Sequence, residues 1–179
     1  DIGGNISEVG DVFLCSPLME YAYTMEPTIP HMECLLGLLE LPTVDMTVKD
    51  SKSDSQCTLL HYLLSNRKLW LSPNVKDIII PIVKKVIEKG GSLSAVNARG
   101  NTPLMGIVHK IVINQVNMEC LSHLLMLPTV DIMLTNPDHV SFPVLMIWKI
   151  QFFIKGKHFD TVDEDEDAED EEKKADEKD

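Results

Sequence analysis

With 179 residues, 44% of them hydrophobic, the chain is long enough to bury one core. Its formal charge of −12 sits almost wholly at one end. Residues 160–179 carry thirteen acidic side chains against three lysines, a net of −10 that leaves −2 for the rest. A near-neutral body with an acidic tail argues against direct nucleic-acid binding, which needs a basic face. No stretch reaches the ~18 apolar residues of a membrane span, so no membrane partner is expected. The chain opens on DIGGNISEVG rather than on a secretory leader. The expectation is an intracellular protein, of the cytoplasm or nucleus.

In chain order, residues 1–12 are glycine-rich and polar and read as a flexible N-terminal segment. Ser16-Pro17-Leu18-Met19 is the first helix start: a capping hydroxyl, then a proline where its missing N–H costs nothing. After a break at Pro27 to Pro30, HMECLLGLLEL predicts a second helix ended by Pro42, so the two form a helical hairpin. Thr58-Leu59-Leu60-His61 opens another helix. Trp70 follows in NRKLWLSPN, which reads as an inserted loop where an aromatic beside Arg67 and Lys68 can anchor a partner. VKDIIIPIVKKVIEKGG predicts an apolar-sided helix stopped by Gly90-Gly91; Pro81 either kinks it or marks its true start. The clearest start is NARGNTPLMGIV, residues 97–108, with Gly100 for a left-handed turn, Thr102 as cap and Pro103 at the first helical position.

These starts recur because the chain repeats. MECLLGLLELPTVD at residues 32–45 returns as MECLSHLLMLPTVD at 118–131, an offset of 86, with eleven of fourteen positions identical. The differing pairs, Leu36/Ser122, Gly37/His123 and Glu40/Met126, share one helix face with Glu33 and Glu119. That face reads as the solvent or partner side. The retained leucines Leu35, Leu38, Leu39 and Leu121, Leu124, Leu125 form a stripe that needs a neighbour. Ser16, Thr58, Thr102 and Ser141 are spaced by 42, 44 and 39 residues, a period that means stacked supersecondary units. PTVD reads as a turn leading to the next unit, and Cys34 and Cys120 read as small buried hydrophobes beside the stripe.

NARGNTPL, Thr58-Leu59-Leu60-His61, Leu124-Leu125 and GGSLSAVN at 90–97 together resemble the ankyrin repeat family. The units are longer than that family's period of about 33 residues. The resemblance implies an all-α fold: a solenoid of helical hairpins with short β-turn fingers. Its repeat domain would span residues 13–155, with units near 13–49, 50–93, 94–135 and 136–155, followed by a disordered acidic tail at 156–179. It also implies that the histidine after the threonine-leucine start, His61, bonds between neighbouring units. Partners would be gripped by finger tips and the first-helix face: Lys49, Asp50, Lys52 and Asp54 on one finger, Ala98, Arg99 and Asn101 on the next, and Met105 and His109 on the helix that follows.

Nucleotide-binding loops, zinc-protease helices, nucleophile elbows and paired-cysteine metal motifs are missing from the sequence. The reading is a noncatalytic chain with no cofactor and no metal. Its four cysteines lack paired spacing and read as reduced. The apolar stretch from Phe142 to Phe153 reads as a terminal cap or an exposed patch. Two functions are expected from these features. One is a scaffold that binds another protein through its fingers and first-helix face. The alternative is an acidic tail that binds or regulates basic proteins, with the repeats as its carrier.

Overall fold

The computed structural model describes residues 6, 7, 9, 15–51, 55–108, 110–128, 130, 131, 133–136, 143 and 146. The tail, the Phe142 to Phe153 stretch apart from Pro143 and Met146, and most of residues 1–12 lie outside the described residues, as does Ser141. Among the described residues there are seven helices and no named strand. They are α1 (Pro17–Thr24), α2 (Ile29–Leu39), α3 (Leu59–Ser65), α4 (Arg67–Leu71), α5 (Val75–Glu88), α6 (Pro103–Ile107) and α7 (Gln115–Leu125). None is long and apolar enough to cross a membrane.

The helix starts follow from side-chain caps. Ser16 Oγ accepts from the Met19 amide at 3.3 Å and Thr102 Oγ1 from the Met105 amide at 3.3 Å, each with a proline opening the helix. Thr28 caps α2, so Pro30 lies in its first turn and the expected break is shorter than the prolines suggest. Helix α5 runs unbroken from Val75 through Pro81, which rules out a start near the proline. Its end is a Schellman turn: Gly90 N–H donates to Ile87 O and Gly91 N–H to Val86 O, both at 2.9 Å, with Gly90 at φ +93°.

The helices lie in two rows. In the first, α1 packs on α3 and α3 on α6; in the second, α2 packs on α5 and α5 on α7, with α4 against α5. One apolar cluster runs through both rows, and each fully buried leucine or isoleucine stabilises it by about 1.5–3 kcal/mol. Buried asparagines stitch the helix ends together. Asn66 Nδ2 donates to Ala22 O (3.2 Å) and Met25 O (2.9 Å) at the end of α1. Asn117 Nδ2 donates to Trp70 O (3.0 Å) and Val112 O (2.7 Å). The bonds to Ala22, Met25 and Trp70 satisfy carbonyls that the ends of α1 and α4 leave open.

Several expectations change here. Trp70 is not in a loop: it belongs to α4, is 1% exposed, and its indole N–H donates to Leu64 O at 2.8 Å. Asn66 caps that short helix, its Oδ1 accepting from the Lys68 amide at 3.0 Å. Of the two matched cysteines, Cys120 is buried but Cys34 is exposed. The varied face of the repeated helix is exposed at Glu33, Gly37, Glu40, Glu119, Ser122, His123 and Met126, whereas Leu36 packs partly against the core. Ile6 and Ser7, in the segment expected to be flexible, are tied down: Ile6 O accepts from Leu18 N at 3.2 Å and Ser7 Oγ from Asp45 N at 3.0 Å.

Candidate functional site

Between the two helical rows and solvent stand the loops that join one helical pair to the next. The first is a hairpin closed by an antiparallel bridge between Lys49 and Thr58, with the Asp50 amide donating to Cys57 O at 2.9 Å. The second is wound on Asn97. Its Oδ1 accepts from the amides of Arg99 (3.0 Å) and Asn101 (2.9 Å), its own amide donates to Asn101 O (3.0 Å), and Gly100 at φ +72° completes the turn. Neighbouring loops are bonded directly: Ala98 N donates to Ser55 O at 2.8 Å, and Lys49 Nζ to Val96 O at 2.9 Å. Asn136 Nδ2 extends the row by donating to Asn101 Oδ1 at 3.2 Å.

His61 locks this row to the helices. The Thr58 amide is a donor, so Nδ1, 3.1 Å away, must accept. Nε2 therefore carries the proton and donates to Asn101 O at 3.0 Å, across forty residues of chain. Burial pushes the imidazole below its ordinary pKa, keeping it neutral in this tautomer.

The predicted site residues divide sharply. Ala98 and Arg99 are exposed at a finger tip, Asn101 is half-buried beneath it, and Lys49 is exposed while bonded to the next finger's stem. Asp50, Met105 and Trp70 face inward. Asp50 is 3% exposed; its Oδ2 accepts from Ser55 Oγ at 2.5 Å and from the Tyr62 hydroxyl at 2.8 Å. Met105 is 2% exposed, because the third helical position turns into the core, as it does at Met19 and His61. These three positions are corrected from partner contacts to internal structure. Lys52, Asp54 and His109 lie outside the described residues.

The structure adds two tyrosines that the sequence reading passed over. Tyr23 on α1, 45% exposed, meets Tyr62 on α3 edge to face, ring centres 6.1 Å apart and planes at 88°. Burial first, and then its bond to Asp50, pushes the Tyr62 hydroxyl pKa well up, so it stays a donor. Asp50 thus fixes the Tyr62 ring, and the ring supports Tyr23. An aromatic pair held in this way has little freedom to lose. The sequence carries little signal for the pair: Leu59, Leu60, His61, Leu63 and Leu64 around Tyr62 are all buried, and Tyr62 is half-buried among them.

The aspartate that ends PTVD heads a turn in both copies, with Asp45 Oδ1 accepting from Thr47 N at 2.8 Å and Asp131 Oδ1 from Met133 N at 2.9 Å. Comparison with known proteins finds no matching family model and no matching curated protein.

Proposed function

We propose that this chain is a noncatalytic protein-binding module of the ankyrin type, a helical-repeat solenoid that holds a partner protein across its finger tips and the exposed side of its first helical row. The observation that carries this reading is the His61 bridge. One neutral histidine binds the start of its own helix and the carbonyl of the next finger, the between-unit bond that the family resemblance implies. That bond, with the Ala98–Ser55 link, ties one finger to the next and leaves Ala98 and Arg99 exposed at the tip. A fixed row loses little freedom on binding and favours one partner geometry. The setting is intracellular, cytoplasm or nucleus.

A second reading is favoured by the net charge of −10 in residues 160–179: the tail binds basic proteins and the repeats carry it. Ionic strength separates the two. Partners captured by the full chain should survive moderate salt and removal of residues 160–179, and should be lost with Arg99→Glu combined with Tyr23→Ala. Partners that stay with the double variant but leave with the tail or with salt would transfer the function to the tail.

A further inference from the structure

The 86-residue offset allows the first and third helical pairs to be compared position by position. In the third pair, where α6 packs on α3 and α7 on α5, Ile107, Asn117, Cys120 and Leu124 are all fully buried. Their counterparts in the first pair are Tyr21, His31, Cys34 and Leu38. Cys34 is exposed and the other three are only half-buried. The same register that hides one thiol bares the other. Among the described residues, α1 and α2 pack on α3, α5 and each other, and no helix stands on the side where α6 and α7 meet theirs.

A second observation is independent of these four positions. Ser94 Oγ accepts from the Asp131 amide at 2.7 Å, and Ser7 Oγ from the Asp45 amide at 3.0 Å; both aspartates end the repeated PTVD. Ser94 lies in GGSLSAV at 90–96, the exit from α5. Ser7 lies in GGNISEV at 3–9, identical at four of seven positions. Leu93 is buried in the core and Ile6 packs against it. The segment around Ser7 therefore stands to α2 as the exit from α5 stands to α7.

We propose that the face made by Tyr21, His31, Cys34 and Leu38 is a docking surface for an amphipathic helix of the α5 kind. Such a helix carries branched aliphatic side chains at the spacing of Ile79, Ile82, Val83 and Val86, and lies with its C-terminal end toward Ser7. The face is distinct from the finger row and leaves it free. The argument for this occupant is internal to the molecule: the same MECL sequence, in the third pair, already holds such a helix.

The test is thiol accessibility in the native state. The full chain is compared with an extended chain that carries a copy of residues 55–89 joined ahead of Gly3. Iodoacetamide labelling of Cys34 is followed by mass spectrometry, with buried Cys120 as the slow reference. In the extended chain Cys34 should label about tenfold more slowly or less, because a covered thiol reacts only through opening. Aspartates in place of Ile79 and Val83 of the added copy should restore the rate. Unslowed Cys34 in an extended chain of native helical content would overturn the proposal. If the extended chain misfolds, a peptide of residues 75–91 added to the unmodified chain decides: no protection of Cys34 at the highest soluble concentration overturns it. Protection that grows with the chain's own concentration would assign the face to a second copy, and also overturns it.

Discussion

His61 bonds both to the start of its own helix and to Asn101 O in the next loop, and its pH behaviour follows from its burial. The folded state holds the imidazole below its ordinary pKa of 6.5, so as pH falls through that value the unfolded chain binds a proton that the folded chain refuses. The stability that this group contributes is fully present above ~6.5 and is lost as pH drops toward the folded pKa. The urea midpoint should therefore fall between about pH 7 and about pH 5, and His61→Asn should flatten that slope while lowering stability by about 1–3 kcal/mol. An unaltered slope would remove His61 as its source. Gln56 is the one described non-glycine residue with positive φ, at +48°, and it occupies the position that Gly100 holds one unit later. A side chain in the left-handed region costs about 1 kcal/mol, so Gln56→Gly should raise the urea midpoint despite the added freedom of the unfolded chain. Trp70→Ala removes a fully buried indole and its bond to Leu64 O. Equilibrium unfolding should register a loss of about 3–5 kcal/mol; a change near zero would contradict the buried placement.

At the scale of elements, α5 is the spine of the second row, touching α2, α4 and α7. Pro81 lies on its more exposed stripe with Asp77, Lys84 and Lys85 and removes an interior helical hydrogen bond. Pro81→Ala should stabilise the chain by about 1 kcal/mol or more, measured by thermal unfolding; a lower midpoint would mean that ring packing outweighs the lost bond. At the other end of α5, a Cβ on Gly91 would lie 2.9 Å from Val86 O and closer still to its side chain. Gly91→Ala should cost about 1–3 kcal/mol. Much of this level was legible in the sequence, because caps and stops are local chemistry: Ser16, Thr102 and the Gly90-Gly91 turn needed only their neighbours in the chain. What was not legible depends on what packs across. RKLWL is too short to show a helical period, so α4 passed for a loop, although Asn66 is a capping residue. Cys34 and Cys120 sit in identical local sequence yet differ in burial, because α7 meets α5 on the side where α2 meets no described helix. Met105 was readable: it holds the third helical position, as Met19 and His61 do, and all three are buried.

Across the whole molecule, bonds such as His61–Asn101 and Asn66–Met25 join residues about forty apart in the sequence and tie one helix start or end to another. The finger row is the surface that these bonds order most directly, since its loops are linked to each other as well as to the helices. The acidic tail lies outside the described residues and carries a net charge of −10, so any part it has in binding should show as salt dependence. The most direct measurement is site-specific photocrosslinking in the full chain. Benzoylphenylalanine is placed at Ala98 on the finger tip, at Glu119 on the outer side of α7, or at Asp165 in the tail, and partner adducts are compared at moderate salt. The account predicts adducts from Ala98 that Arg99→Glu abolishes, and none from Glu119 or Asp165. Adducts from Asp165 or Glu119 with none from Ala98 would contradict it.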